Sequence, residues 1–375
     1  MKERVKVLQV TESLESGGRE AFVMNLYKKI NKEKFSFDFF TLKEGEEFYT
    51  DEVKKLGGNI FSAHTFNEKK GIKRFLKKNY TLYRIIKKNK YSIVHIHACT
   101  PLDYIKVLFA KILKVDIIIM HAHSSYYELD SKLKQLITMA MRKIFSNIPN
   151  YCIACSSEAA DFLFTKKVIS SSRYKIIDNS IELEKYYFNL QCRNKHRKLL
   201  NLEDKIVIGH VGRFSKEKNH EFIIRCFKKV AEKNSNTNLL LIGDGELKEK
   251  IEKMVNDENL SERITLLPSS KEIFELYQVM DIFWFPSLFE SFGMVALEAQ
   301  VSGLKVLISD TIPKKVCLSE ESEMISLKED IWCEKTIESI NKLERQDLSN
   351  SNIFKQYDLR KTVQFFEKLY CGGIE

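Results

Sequence analysis

The chain has 375 residues, with 61 Lys and Arg against 51 Asp and Glu for a formal net charge of +10, 44% apolar residues, and only 14 glycines and 5 prolines. This length and apolar share predict two domains with full cores, and the scarcity of glycine and proline argues against long disordered linkers. No apolar run approaches the roughly 18 residues that a transmembrane helix needs. The charge is uneven: residues 1–200 hold 37 Lys and Arg against 21 Asp and Glu, and residues 201–375 hold 24 against 30. A basic first half predicts an anionic partner. The eight cysteines are scattered. The charged start Met1-Lys-Glu-Arg-Val-Lys-Val runs straight into a strand and does not form a secretory signal, so a reduced, cytoplasmic protein is expected. Cys152-Ile-Ala-Cys155 has redox or zinc spacing, but it sits in an apolar strand with no second pair and reads as two buried thiols.

Val5–Val10 reads as a buried strand, followed by Glu12-Ser-Leu-Glu-Ser-Gly-Gly-Arg-Glu20 and an apolar-periodic helix over 21–30. Strand, glycine-bearing turn and helix can cradle a phosphate, although Gly17-Gly18 alone reads equally well as a tight turn. Further strands are expected at 35–41, 59–63, 92–97, 115–121, 151–155 and 174–177, alternating with helical stretches. Such alternation predicts a mostly parallel sheet with helices on both faces, whose ligands bind beyond the carboxyl ends of strands. Two histidine pairs fall at such ends, His95-Ile-His97 and His121-Ala-His123. Alternate residues share a strand face, so zinc is an alternative, but no acidic or cysteine partner is spaced to complete a site. From Lys69 to Lys90 there are ten Lys and Arg and no acid, with Ile72, Phe75, Leu76, Leu82, Tyr83, Ile85 and Ile86 among them. A basic amphipathic helix of this kind can lie on an anionic membrane surface, and it can also pack its apolar side into a core. No RNA- or DNA-binding motif accompanies the charge, so no nucleic-acid partner is expected. Residues 182–204, polar with a basic run from Arg193 to Lys198, read as an interdomain linker.

The second half alternates regularly, with strands expected at 205–211, 238–242, 263–267, 281–285 and 305–309 and helices between them, which predicts a second Rossmann-like sheet. Arg213 and Lys218 follow its first strand and could clamp a diphosphate. The turn Ile242-Gly-Asp-Gly-Glu-Leu247 places Gly243 and Gly245 where backbone could approach a nucleotide, with Glu246 expected to cap the next helix. The run from Trp284 to Gly303 reads as strand, loop, helix. Pro286 ends the strand, and Ser291 or Gly293 opens the helix. Glu290 lies in the loop, and Glu298 stands about 8 Å along the helix at 1.5 Å per residue. Between them, the amides of Phe292, Gly293, Met294 and Val295 form a helix N-terminus that attracts phosphate. A ligand with its phosphates on those amides could meet one carboxylate at each end, which is the layout of a nucleotide sugar. An amphipathic helix is expected over 352–370.

This last run, through Pro286-Ser287, Phe289-Glu290, Gly293 and Glu298-Ala299-Gln300, resembles the E-x7-E signature of retaining GT-B glycosyltransferases of family 4, which build bacterial capsules and exopolysaccharides. His210-Val-Gly-Arg-Phe-Ser-Lys-Glu-Lys-Asn219 resembles the family's G-R-x-x-x-x-K-N motif, Gly243-Asp-Gly-Glu its G-x-G-x-[ELR] turn, Gly17-Gly-Arg-Glu20 its G-G-x-E loop, and His121-Ala-His-Ser124 its H-x-H-[SN] segment. In Asn179-Ser180 a serine replaces the glycine of the family's I-x-N-G turn, and strain there is expected if the turn needs positive φ. The resemblance implies an α/β GT-B fold. Its acceptor-side Rossmann-like domain would span 1–190 and its nucleotide-sugar domain 191–352, the two facing across a cleft, with a terminal helix over 353–375 crossing back to the first domain. It implies transfer of a sugar, with retention, from a UDP-linked donor to a growing bacterial surface glycan without cofactor or metal, and the basic first half with residues 69–90 adds the expectation of a lipid-linked acceptor at the inner membrane face. By the same resemblance Arg213 and Lys218 hold the donor diphosphate and Glu290 the sugar hydroxyls. Glu298 holds the ribose, Gly17-Gly18 lies under the diphosphate, Gly243 borders the nucleotide, and His123, or its neighbour His121, touches the donor sugar. A GT-B nucleotide-sugar 2-epimerase and a catalytically silent nucleotide-sugar-binding partner subunit are the alternatives. Donor sugar, acceptor, linkage and oligomeric state are left open by the sequence.

Overall fold

The computed structural model of the chain describes residues 4–43, 45–63, 71–124, 132–290 and 292–373. Lys69, Lys70 and Ser291 therefore lie outside the described residues. The chain forms two compact units, one made of Met1–Ser180 with Leu359–Glu375, the other of Ile181–Asp358.

The first unit holds seven strands, β1 (Val5–Val10), β2 (Phe35–Thr41), β3 (Ile60–Ser62), β4 (Ile93–Ala98), β5 (Ile117–Ala122), β6 (Tyr151–Ala154) and β7 (Tyr174–Ile176), in the order β3-β2-β1-β4-β5-β6-β7. All pairings are parallel. Central strands covered on both faces read as continuous apolar runs, and β4 is buried along its whole length. Register sets His97 opposite His121, so the period of two brings His95, His97, His121 and His123 onto one sheet face. The Leu359–Tyr370 helix packs on that same face. Its Leu359, Phe366, Leu369 and Tyr370 join Phe22, Leu26, Phe35 and Phe37 in one buried core.

The second unit holds β8 (Ile206–Val211), β9 (Thr237–Ile242), β10 (Ile264–Leu267), β11 (Ile282–Phe285), β12 (Lys305–Ser309) and β13 (Ser322–Ile325), in the order β10-β9-β8-β11-β12-β13. This is the Rossmann order, with its reversal between β8 and β11. Ser322-Glu-Met-Ile325 was not expected as a strand. Among the described residues it pairs with β12 alone, and an edge strand of this polarity lacks the apolar run that marks its neighbours.

Three expectations need correction. The segment 182–204 is folded, with helices Leu183–Tyr186 and Leu190–Leu199. Arg193 and Arg197 lie one helical turn apart on one face and both pair with Asp281, each at 2.5 Å. Arg193 also donates to the carbonyls of Gln278 and Met280 at 2.9 Å. These contacts draw the segment into the second unit, so the boundary falls at Ser180–Ile181 and not after residue 190. The terminal helix begins at Leu359, and residues 353–358 stay with the second unit. Ser180 is not among the residues with positive φ, so serine is accommodated there without the expected strain.

Candidate active site

In the second unit the loops after β8 and β11 meet at the point where strand order reverses. The Leu288 amide donates to the Glu217 carbonyl at 2.8 Å, and the Asn219 side-chain amide donates to the Pro286 carbonyl at 3.2 Å. Stitched this way, the loops bring Lys218 against Glu290, and the two form a largely buried ion pair. Arg213, at the end of β8, is exposed. The two cations expected to act as one clamp thus have different surroundings.

The helix after β11 spans Met294–Val301, with Gly293 as its N-cap at φ +89°. Only glycine adopts that conformation freely, and a Cβ there would also lie 2.7 Å from the Phe285 ring. The cap fixes where the helix begins, so the amides of Met294 and Val295 precede its internal bonds. Phe292 is buried beside Tyr357. One turn on, Glu298 is not a solvated helix residue. Tyr186 donates to its Oε1 at 3.1 Å and Tyr277 to its Oε2 at 2.8 Å. Burial pushes the Glu298 carboxyl up from the usual 4.5 to about 7, while the two tyrosine hydrogen bonds pull the other way. Two hydroxyls fix the carboxylate and leave lone pairs for a further donor.

Gly243 has a different reason to be glycine than the one expected. A Cβ there would lie 2.0 Å from the Gly212 carbonyl oxygen, so the space serves the chain's own loop. Gly245 likewise faces the Phe214 backbone, which accepts from Leu247 and donates to Asp244, both at 2.9 Å. Glu246 does not cap the following helix, which starts at Lys248 with Leu247 as N-cap.

In the first unit, Gly17 is extended at φ −135° and caps the Gly18–Lys29 helix. Its missing side chain makes room for Glu20, whose carboxylate a Cβ would meet at 2.5 Å. Glu20 accepts from Ser13 at 3.1 Å and from Arg19 at 2.5 Å. Arg19 also donates to the Cys99 sulfur at 2.7 Å. His123 is half-buried just beyond β5, next to His97 at 2.9 Å, with the Phe22 ring edge-on to it. Burial, His121 and Arg19 together hold the His123 pKa well below its ordinary value, so the ring is neutral. The zinc alternative gains a third member here, because ligand atoms of His95, His97 and His121 lie within 4.8 Å of one another. Every ring nitrogen of the three except His121 Nε2 is already hydrogen-bonded, however. Cys152 and Cys155 are buried and lie outside any disulfide.

Sequence reasoning missed Tyr186 and Tyr277, and it passed over Arg19, Gln9 and Tyr370. Arg19 lies inside the loop of residues 17–20, but no local pattern signals the others: Tyr186 is 112 positions from Glu298, and Tyr370 is 361 from Gln9.

Two family models match, "Glycosyltransferase Family 4" over residues 16–185 and "Glycosyl transferases group 1" over residues 192–358. EpsF of Bacillus subtilis (strain 168), which carries a glycosyltransferase name, is 32% identical over 315 residues, covering 83% of this chain and 80% of its own length. The UDP-Gal:alpha-D-GlcNAc-diphosphoundecaprenol alpha-1,3-galactosyltransferase of Escherichia coli is 23% identical, covering 82% and 80%. Among solved structures, Anabaena Alr3699/HepE in complex with UDP and glucose superposes with a TM-score of 0.78 at 15% identity, covering 99% of this chain and 100% of that one.

Proposed function

The chain belongs to glycosyltransferase family 4, a group of sugar-transferring enzymes with the GT-B fold, and we propose that it moves a sugar from a UDP-linked donor, with retention of configuration, to a lipid-linked bacterial surface glycan. The Lys218–Glu290 ion pair carries this reading. A donor diphosphate offers Lys218 a partner of higher charge than one carboxylate. When Lys218 turns to it, together with Arg213 and the amides of Phe292, Gly293, Met294 and Val295, Glu290 is released to accept sugar hydroxyls. Glu298, oriented by Tyr186 and Tyr277, takes the ribose hydroxyls, and the Gly243 turn borders the nucleotide. Gly17 and Gly18 serve the diphosphate, and His123 the donor sugar. The acceptor oxygen bonds to the anomeric carbon from the face that the diphosphate leaves, the carbon–oxygen bond to the diphosphate breaks, and the hydroxyl proton passes to the leaving phosphate. Lys218, Arg213 and the helix amides stabilise the charge that develops there, so the step is assigned no metal.

The E. coli relative's name gives a UDP-sugar and a diphosphoundecaprenol-linked acceptor, which supports both classes, and the HepE structure holds UDP, which supports the donor class. The first unit also suits a lipid surface. Its Ile72–Asn89 helix buries Leu82 and Ile86 and exposes Phe75, Leu76 and Tyr80 among its basic residues. The acid-free Lys132–Phe145 helix exposes Leu136, Ile137, Met139 and Ile144. Both helices pack against Tyr104–Ile112, and among the described residues no helix is long and apolar enough to cross a membrane.

The test is a UDP-release screen over UDP- and GDP-sugars with lipid-diphosphate acceptors. UDP release that falls about 100-fold in Glu290→Ala is expected, on the scale of a misplaced reacting group. Undiminished turnover in that variant sinks the site assignment. Release only from GDP-sugars overturns the donor class, and UDP binding without turnover on any pair favours a silent binding subunit.

A further inference from the structure

Six residues of the first unit are joined in series. His123 Nε2 lies 2.9 Å from His97 Nδ1, and His97 Nε2 lies 2.8 Å from Gln9 Oε1. Gln9 Nε2 donates to the Tyr370 hydroxyl at 3.1 Å. That hydroxyl lies 2.9 Å from His95 Nδ1, and His95 Nε2 lies 3.3 Å from His121 Nδ1. All but His123 are buried. Burial lowers the pKa of each of the four histidines, His121 to about 3, so the rings are neutral and each carries one N–H and one lone pair.

A neutral ring bonded at both nitrogens must donate on one side and accept on the other, so polarity passes along the series. Gln9 sets its direction, because an amide oxygen only accepts and an amide nitrogen only donates. Its oxygen takes the His97 Nε2–H. His97 Nδ1 is then bare and takes the His123 Nε2–H. On the other side the Gln9 N–H goes to Tyr370, whose O–H goes to His95 Nδ1, and the His95 Nε2–H goes to His121. We infer that His97, Gln9 and Tyr370 are positioning residues that hold the His123 ring as its Nε2–H tautomer, with Nδ1 left as an acceptor for a substrate hydroxyl. The tautomer follows from the contacts and the neutrality of the buried rings. Its use on substrate rests on the reading of His123 as the donor-sugar contact. The terminal helix thereby reaches His123 through a side-chain amide and an imidazole, and no Tyr370–His123 contact is required.

The experiment uses the full chain labelled with 15N-histidine. Long-range proton–nitrogen spectra of the rings near neutral pH, assigned with His123→Asn, are expected to show Nε2–H on both His97 and His123. Nδ1–H on His123 overturns the inference without any further variant. Tyr370→Phe removes the acceptor that anchors the Gln9 amide. His123 should then become a mixture of tautomers, and kcat should fall about tenfold, the scale of one misdirected hydrogen bond, with donor KM and UDP affinity nearly unchanged. Wild-type ring signals together with wild-type kcat in that variant overturn the positioning role. If Tyr370→Phe does not fold, Gln9→Asn, which shortens the same link, is held to the same readouts. Unchanged turnover in His123→Ala would remove the sugar contact and leave the tautomer result standing, so the two failures are distinguishable.

Discussion

Glu298 carries a measurable signature. Its folded carboxyl titrates near 7, against a usual 4.5. Between those values the folded chain keeps a proton that the unfolded chain has released, so this residue's contribution to stability is full below about 4.5 and is lost as pH rises through about 7. A shift of this size corresponds to up to about 3 kcal/mol. Urea unfolding at pH 5 and at pH 7.5 should therefore show a decline that is flattened in Glu298→Gln, and an equal decline in both proteins would mean that Glu298 is not the source. The position of Glu298 was legible in the sequence, because strand, loop and helix fix it relative to Glu290. Its environment was not, since Tyr186 and Tyr277 reach it from other helices. The same divide applies to Gly243. Glycine signals close approach, but it does not say that the approaching atoms belong to Gly212.

At the scale of elements, apolar runs were the most readable signal, since parallel strands buried on both faces have little else in them. Twelve of the strands lie where the runs predict, to within a residue or two at each end, and β13 was lost because Ser322-Glu-Met-Ile325 carries no apolar run. The basic stretch from Arg193 to Lys198 misled for a physical reason. A charge run reads as solvated unless its counter-charge is visible, and Asp281 is 88 positions from Arg193 and 84 from Arg197. Asp281 also accepts from the Val207 amide at 2.8 Å, so one carboxylate joins the Leu190–Leu199 helix to the starts of β8 and β11. Removing one partner of a buried network leaves the others uncompensated. Asp281→Ala is expected to cost about 3–5 kcal/mol in urea unfolding, and a loss below about 1 kcal/mol would assign the pair to the surface class.

At the scale of the molecule, charge asymmetry yields a test independent of catalysis. The first 200 residues carry 37 Lys and Arg against 21 Asp and Glu. The protein should sediment with vesicles containing anionic lipid at low salt, and should release as ionic strength shortens the Debye length from about 30 Å at 0.01 M to about 8 Å at 0.15 M. Replacing Leu136 and Met139 by Ser should weaken the salt-resistant part of that binding. Failure to sediment at low salt would refute the lipid surface.

The return of the Leu359–Tyr370 helix to the first unit also sets an order of biosynthesis. Phe366, Leu369 and Tyr370 are among the most deeply buried side chains of the first unit's core, and they are synthesised after the whole of the second unit. Nascent chains generally complete their N-terminal domain first. Here the first unit must wait until its Leu359–Tyr370 helix has been made, while the second unit, continuous from Ile181 to Asp358, has all its strands in hand earlier. A chain stopped at Asp358 would leave the second unit whole and the first without one wall of its core.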